Sequence, residues 1–247
     1  MSRQLKFGKE PSDDDLNQIA ERAKALQPRL AALTSPVIIE FSGSPKSGKS
    51  TNIDIINHFF RRNELRVWAP TEGASKRTPY ILRKDLVAFN AWSLNYAISE
   101  LLLSYHNVDT PHLVILDRGP FDSLAWMGVL RERNELSSEE YDIIRNFALH
   151  PKWAGLIDRI YLFSCEPRTS LNRENSLKLT VRSGIAMNAE MLTQLGQQYA
   201  TLATVEDGYP VVTVSTDGTE NPGPKSSAFA IVSDLLDCFE EKLGGGK

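Results

Sequence analysis

The chain has 247 residues, 41% of them hydrophobic, enough to bury a full core as one large domain or two small ones. A net charge of -3 and a pI near 5.9 carry no general polyanion-binding signature, so a nucleic-acid partner is not expected without a local basic patch. Cys165 and Cys238 lie far apart in apolar-patterned segments and read as free buried thiols, not as a disulfide or metal site. His58, His106, His112 and His150 show no metal-ligand spacing. With no secretion-type N-terminal run and no apolar span of about 18 residues, a soluble, cytoplasmic protein without membrane attachment is expected.

Residues 1–11 are polar and read as loose. Ser12 can cap a helix whose first turn carries Asp13, Asp14 and Asp15, acids suited to the positive helix end. Leu16, Ile19, Ala23, Leu26, Leu30 and Leu33 follow at alternating steps of three and four, one apolar stripe. Pro28 interrupts it, which predicts a kink or two short helices before Ser35-Pro36. The stripe packs either on the main domain or on a partner, a homodimer contact among them. The expected division is an N-terminal helical extension over 1–35 and one domain over 36–247.

From Pro36 onward short β-rich runs, Val37–Phe41, Leu65–Trp68, Leu113–Leu116, Arg159–Phe163 and Val211–Val214, alternate with helical patterns. Each is apolar over most of its length, which predicts an α/β fold whose five parallel strands are covered by helices on both faces. Between the first run and a segment with Ile53, Ile56 and Phe60 at helical spacing lies Gly43-Ser44-Pro45-Lys46-Ser47-Gly48-Lys49-Ser50. Strand, glycine-rich loop and helix in that order are the context of a phosphate loop: backbone amides converge on an anion and the helix start adds its positive end. Lys49 would reach the β and γ phosphates, Ser50 would ligate Mg2+, and Thr51 would complete the donor contacts. The plain alternative is a Gly/Ser turn with Lys49 solvated.

In such sheets the ligand lies outside the carboxyl ends of the strands. After the second run comes Pro70-Thr71-Glu72-Gly73, then Lys76 and Arg77; Glu72 reads either as an acceptor of a hydroxyl proton or metal holder, or as a solvated turn acid. The third run ends in Asp117-Arg118, which resembles a Walker B element, with Asp117 a metal-holding carboxylate and Arg118 a neutraliser of phosphate charge. After the fourth come Arg168, Arg173, Lys178 and Arg182, either a mobile lid closing over a transferring phosphoryl group or a solvated helix face. A long helix over Asp85–Leu103 carries Phe89 beside Asn90, either core or a base pocket with one stacking ring and one bidentate hydrogen bonder. Turn residues over Asp217–Lys225 precede a last helix, Ser226–Leu243.

Over residues 36–243 the order of parts resembles the thymidylate kinase and deoxynucleoside kinase group of P-loop kinases. The resemblance rests on Glu40 in the first strand, the phosphate loop, the stretch from Asp117-Arg118-Gly119-Pro120-Phe121-Asp122-Ser123 to Trp126, Arg173 in the lid position, and Tyr199-Ala200-Thr201-Leu202-Ala203. It implies a three-layer kinase with a five-stranded sheet and a mobile lid, ATP with Mg2+ as donor, and a nucleoside or nucleotide substrate as acceptor. Lys49, Glu72, Arg118 and Arg173 would be catalytic, residues 43–51 with Arg182 would hold the nucleotide, and Ser50 and Asp117 the metal. Three departures stand out. The group's Arg-Glu-Pro-Gly segment is Thr71-Glu72-Gly73 here, and the arginine expected near Phe89-Asn90 is absent, which leans toward an uncharged 5'-hydroxyl acceptor. The third residue of the Asp-Arg motif is replaced by Gly119-Pro120. A kinase of a polynucleotide end or small metabolite, and a nucleotide-dependent regulatory NTPase, remain alternatives, and ATP is not distinguished from GTP.

Overall fold

A computed structural model of the chain describes residues 3–107, 111–177, 186–204, 209–217 and 223–244. Among these, six strands form a wholly parallel sheet: β1 (Arg3–Gln4), β6 (Val211–Ser215), β5 (Arg159–Ser164), β2 (Val37–Gly43), β4 (Leu113–Asp117) and β3 (Val67–Trp68), in that spatial order. Sequence patterning predicts five. The sixth, β1, lies in the stretch read as loose; its Arg3 and Gln4 pair with Val212 and Thr213 at the sheet edge. Both are exposed, so backbone pairing holds them and no apolar pattern marks them. The predicted Leu65–Trp68 run keeps only Val67–Trp68 as strand, because the preceding Arg66 backbone bonds His112 instead.

Every residue of β2 is buried. Its pleat turns Val37, Ile39 and Phe41 to one face and Ile38 to the other, since successive side chains alternate. The first set packs with α1 (Asp13–Leu26), α2 (Lys49–Arg62) and α9 (Pro224–Gly244). Ile38 packs with α3 (Leu86–Tyr105), α4 (Pro120–Glu132) and α8 (Ala189–Thr204). Three shorter helices, α5 (Ser138–Ala148), α6 (Pro151–Ala154) and α7 (Pro167–Leu177), complete the described α-helices.

The N-terminal stripe lies inside this architecture. Ser12 and Asp15 cap α1 reciprocally, a capping box, and the helix stops at Leu26 where Pro28 starts a 3-10 turn over Gln27–Ala32. Ile19, Ala23, Leu26 and Leu30 join the same core as α9 residues Leu235 and Phe239, so the stripe packs on the body of the protein. Helix α3 corrects a second expectation. With 20 residues and mean hydropathy 1.2 it is long and apolar enough to cross a membrane by composition alone, yet here Leu94, Ile98 and Leu101 cover the sheet.

Register brings the site together. Phe41 pairs Asp117 and Gly43 pairs Phe163, so the phosphate loop, the Asp117-Arg118 step and the entry to α7 meet at one carboxyl edge.

Leu26 is 2% exposed, and truncating a buried leucine removes transfer energy and leaves a cavity. Leu26→Ala is expected to lower stability by about 2–5 kcal/mol in urea unfolding; a change within about 0.5 kcal/mol would mean that α1 lies outside the cooperative unit.

Candidate active site

Gly43 ends β2 with φ +133°, and a Cβ there would overlap the Phe163 carbonyl oxygen, so no side chain fits. Gly48, at φ +97°, is the N-cap of α2. Between them the chain turns over Ser44, Pro45, Lys46 and Ser47 with Lys46 at φ +60°, and the start of α2 points into a cavity of about 820 Å³. Lys49 is buried and its ammonium donates to the carbonyls of Gly43 at 2.7 Å and Ser44 at 2.8 Å. Burial, then the neighbouring Arg118, push its pKa down to about 7, against the pull of Asp122, Asp117 and Glu72.

Pro45 to Asn52, Asp117, Arg118, Arg173 and Thr216 line this cavity, so Ser50, Thr51 and Asp117 share one space. The residues present fit a polyphosphate with a divalent cation: a helix start and a lysine for the anion, and a hydroxyl beside a carboxylate for the metal. The pKa of the Asp117 carboxyl is raised, first by burial and then by Glu72, with Arg118 and Lys49 opposing.

A second cavity of about 360 Å³ adjoins the first and shares Pro45, Glu72 and Arg118 with it. Leu86, Phe89, Trp126 and Met191 give it apolar walls, and Asn90, Ser93, Arg83, Asp122 and Ser123 its polar groups. Asn90 is 5% exposed and one amide hydrogen goes to the Leu86 carbonyl. That leaves its carbonyl oxygen and second hydrogen for a ligand edge.

The two cavities meet at Arg118. Its Nε lies 3.0 Å from Glu72 and its Nη1 donates to both Asp122 carboxylate oxygens at 3.1 and 2.8 Å. Burial works against its charge, but Asp122, Tyr199 and Glu72 more than offset this and raise its pKa. Arg118 sits at φ +63°, where a residue with a side chain is held only by its surroundings; its amide donates to the Phe41 carbonyl.

Residue motifs assign Asp122 no role, and the structure makes it a hub. Its Oδ1 also accepts the Tyr199 hydroxyl at 2.6 Å and the Gly43 amide at 3.3 Å. The signal in sequence was a second acid four residues after the arginine, one turn away on α4. Glu40, wholly buried on β2, accepts Ser42 Oγ and the amides of Phe121 and Asp122. Burial lifts its pKa to about 7, partly opposed by those hydrogen bonds.

Arg173 reaches the larger cavity, where its guanidinium donates to the Lys46 carbonyl at 3.1 Å and to Thr216 Oγ1 and carbonyl at 3.1 and 2.8 Å. Ser170 Oγ donates to the Pro45 carbonyl and Lys46 pairs with Glu174 at 3.1 Å, so α7 is fastened to the phosphate loop. Lys178 and Arg182 fall outside the described residues.

Among the solved structures that the chain is similar to are three of the deoxyadenosine kinase from M. mycoides. With bound dATP that structure shares 19% identity, covers 81% of this chain and 99% of the other, and gives a TM-score of 0.59. With products dCMP and a flexible dCDP the values are 18%, 81%, 100% and 0.58; with bound dCTP they are 16%, 81%, 99% and 0.56. The likeness is one of fold. No family model and no curated protein matches the sequence.

An anion docking on Lys49 favours its charged form, so it must reverse the depression that burial imposes. Titration of a magnesium nucleoside triphosphate at pH 8 is expected to be accompanied by proton uptake, and affinity to fall as pH rises above 7. Calorimetry in buffers of different ionisation heat measures the uptake; equal heats in all of them would leave Lys49 charged already in the free protein.

Proposed function

We propose that the chain is a P-loop kinase that moves the γ-phosphoryl group of ATP, with Mg2+, to a nucleoside or nucleoside monophosphate. One observation carries this reading: a cavity lined by a phosphate loop and a second, largely apolar cavity share Glu72 and Arg118. A phosphoryl group in flight between a donor in one and an acceptor in the other would pass these two side chains. The similarity of fold to a deoxyadenosine kinase supports the same acceptor class.

Each residue has a role that its surroundings support. The loop amides and Lys49 bind the polyphosphate. Ser50 and Asp117 would hold Mg2+, which supplies charge neutralisation between the phosphates. Arg118, kept cationic by Asp122 and Glu72, faces the charge that spreads over the transferring group. Glu72 accepts the proton of the attacking hydroxyl as the new P–O bond forms and the bridge to the β phosphate breaks. Arg173 sits on the phosphate loop, within reach of the donor. Phe89 and Trp126 would sandwich a base whose edge Asn90 reads.

The choice between an uncharged acceptor and a monophosphate turns on Arg83. Inside the acceptor cavity the charge of Arg118 is matched by Asp122 and Glu72, and Arg83 adds a second guanidinium to the wall. A 5'-hydroxyl would need Glu72 alone; an acceptor phosphate would draw on Arg83 as well.

Screening ATP-dependent phosphorylation over nucleosides and monophosphates tests the reading. General-base help is worth about 10²- to 10⁴-fold, so Glu72→Gln is expected to retain nucleotide binding and lose turnover by that range. Full turnover in this variant would remove the role given to Glu72, and no turnover of any acceptor by the native chain would remove the proposal.

A further inference from the structure

We propose that Glu40 is a positioning residue that supplies, from the neighbouring strand, the N-terminal cap that α4 lacks on its own chain, and that this cap fixes Asp122 and Arg118 for phosphoryl transfer. For its turnover readout the inference rests on the kinase reading.

Helix α4 starts at Gly119, an extended N-cap at φ -122°, ψ -156°, followed by Pro120 in the first turn. The first amides of a helix have no partner within it, and a serine, threonine or aspartate at the N-cap ordinarily accepts from the second or third of them. Glycine has nothing to offer, and Gly119 makes no side-chain cap. Those two amides belong to Phe121 and Asp122, and both donate to Glu40: Phe121 to Oε2 at 3.2 Å, Asp122 to Oε1 at 2.8 Å. A carboxylate here also faces the positive end of the helix.

Glu40 and Gly119 fit as a pair. A Cβ on residue 119 would overlap Glu40 Oε2 and lie 2.6 Å from its carboxyl carbon. The backbone at 119 is ordinary extended chain, so the glycine serves to admit the carboxylate and not to reach a special conformation. Ser42 Oγ, 2.5 Å from Oε1, holds the group from its own strand. A purely space-filling residue would be apolar, since burying a carboxylate has a large desolvation penalty.

The cap leads directly to the reacting centre. Asp122, whose amide Glu40 holds, grips Arg118 through both carboxylate oxygens and accepts the amide of Gly43, the first glycine of the phosphate loop. A shift in the first turn of α4 therefore displaces the arginine and loosens the loop together.

The test is a cycle of Glu40→Ala, Gly119→Ser and the double variant. Glu40→Ala orphans two buried amides; kcat, measured well below the unfolding temperature of every variant, is expected to fall about 10- to 100-fold, with Tm lower by about 5 °C. Gly119→Ser alone is also expected to lose activity, because its Cβ meets the carboxylate. When the two are combined, the introduced serine side chain enters the vacated space and accepts the same amides, so the double variant should recover most of the kcat and at least half of the Tm loss. If Glu40→Ala alone does not fold, recovery of a folded protein by adding Gly119→Ser supports the proposal. A double variant no better than the product of its singles overturns it, and so does wild-type kcat in Glu40→Ala, which would leave Glu40 a structural role only. Amide exchange at Phe121 and Asp122 is read without turnover: slow in native and double variants, fast in Glu40→Ala. It tests the cap even if no acceptor is ever phosphorylated, and equal exchange in all three overturns it.

Discussion

The pairing of Arg118 with Asp122 organises the rest of the site. Both side chains are largely withdrawn from water, 15% and 4% exposed, and taking an ion pair out of water is favourable only when the remaining hydrogen-bonding positions are also filled. Here further partners come from three directions: Tyr199 from α8, the Gly43 amide from the end of β2, and Glu72 from the segment after β3. Each of those elements is thereby tied to one point. The chain accepts a left-handed backbone at Arg118 because these contacts over-determine the residue, and the result is an arginine with few alternative positions between two cavities.

Legibility of the sequence follows the range of the interaction. The phosphate loop is readable because much of its requirement is local: Gly43 and Gly48 both take positive φ, the second at the start of α2, and these demands appear as glycines at fixed spacing. The capping of α1 by Ser12 is local too. Strand β1 is not readable, since its exposed residues contribute backbone pairing and leave no apolar signature. Glu40 and Asp122 look like an acid in a strand and an acid in a helix. Their significance comes from contacts across 82 and 79 positions of chain, which no periodicity encodes. The glycine at 119, a mere departure from the resembling motif in sequence, acquires a reason once Glu40 is seen against it.

Sheet order explains why the two cavities lie side by side. Strand β2 is flanked by β4 and β5, so the loop leaving it emerges between Asp117 and the entry to α7. The smaller cavity forms where α3 and α4 cover the opposite face from α2 and α9. Helices α2 and α9 beside the larger cavity and α3 and α4 beside the smaller one thus belong to different cores, and residues at the sheet edge join them.

In the structure Lys49 and Arg173 are both occupied with the backbone of the phosphate loop and its surroundings. Lys49 donates to the Gly43 and Ser44 carbonyls, and Arg173 to the Lys46 carbonyl and Thr216. Carbonyl oxygens are neutral acceptors, and charge-assisted bonds to phosphate oxygens are about twice as strong, so a polyphosphate entering the cavity would outcompete them at both side chains. Until then the same donors keep the loop's own carbonyls satisfied. The loop is thus held near its working shape by the groups that would grip the ligand, and binding exchanges partners without first having to order the chain. That exchange would also relieve the depressed lysine, because the anion supplies an opposite charge in place of the hydration that burial removes.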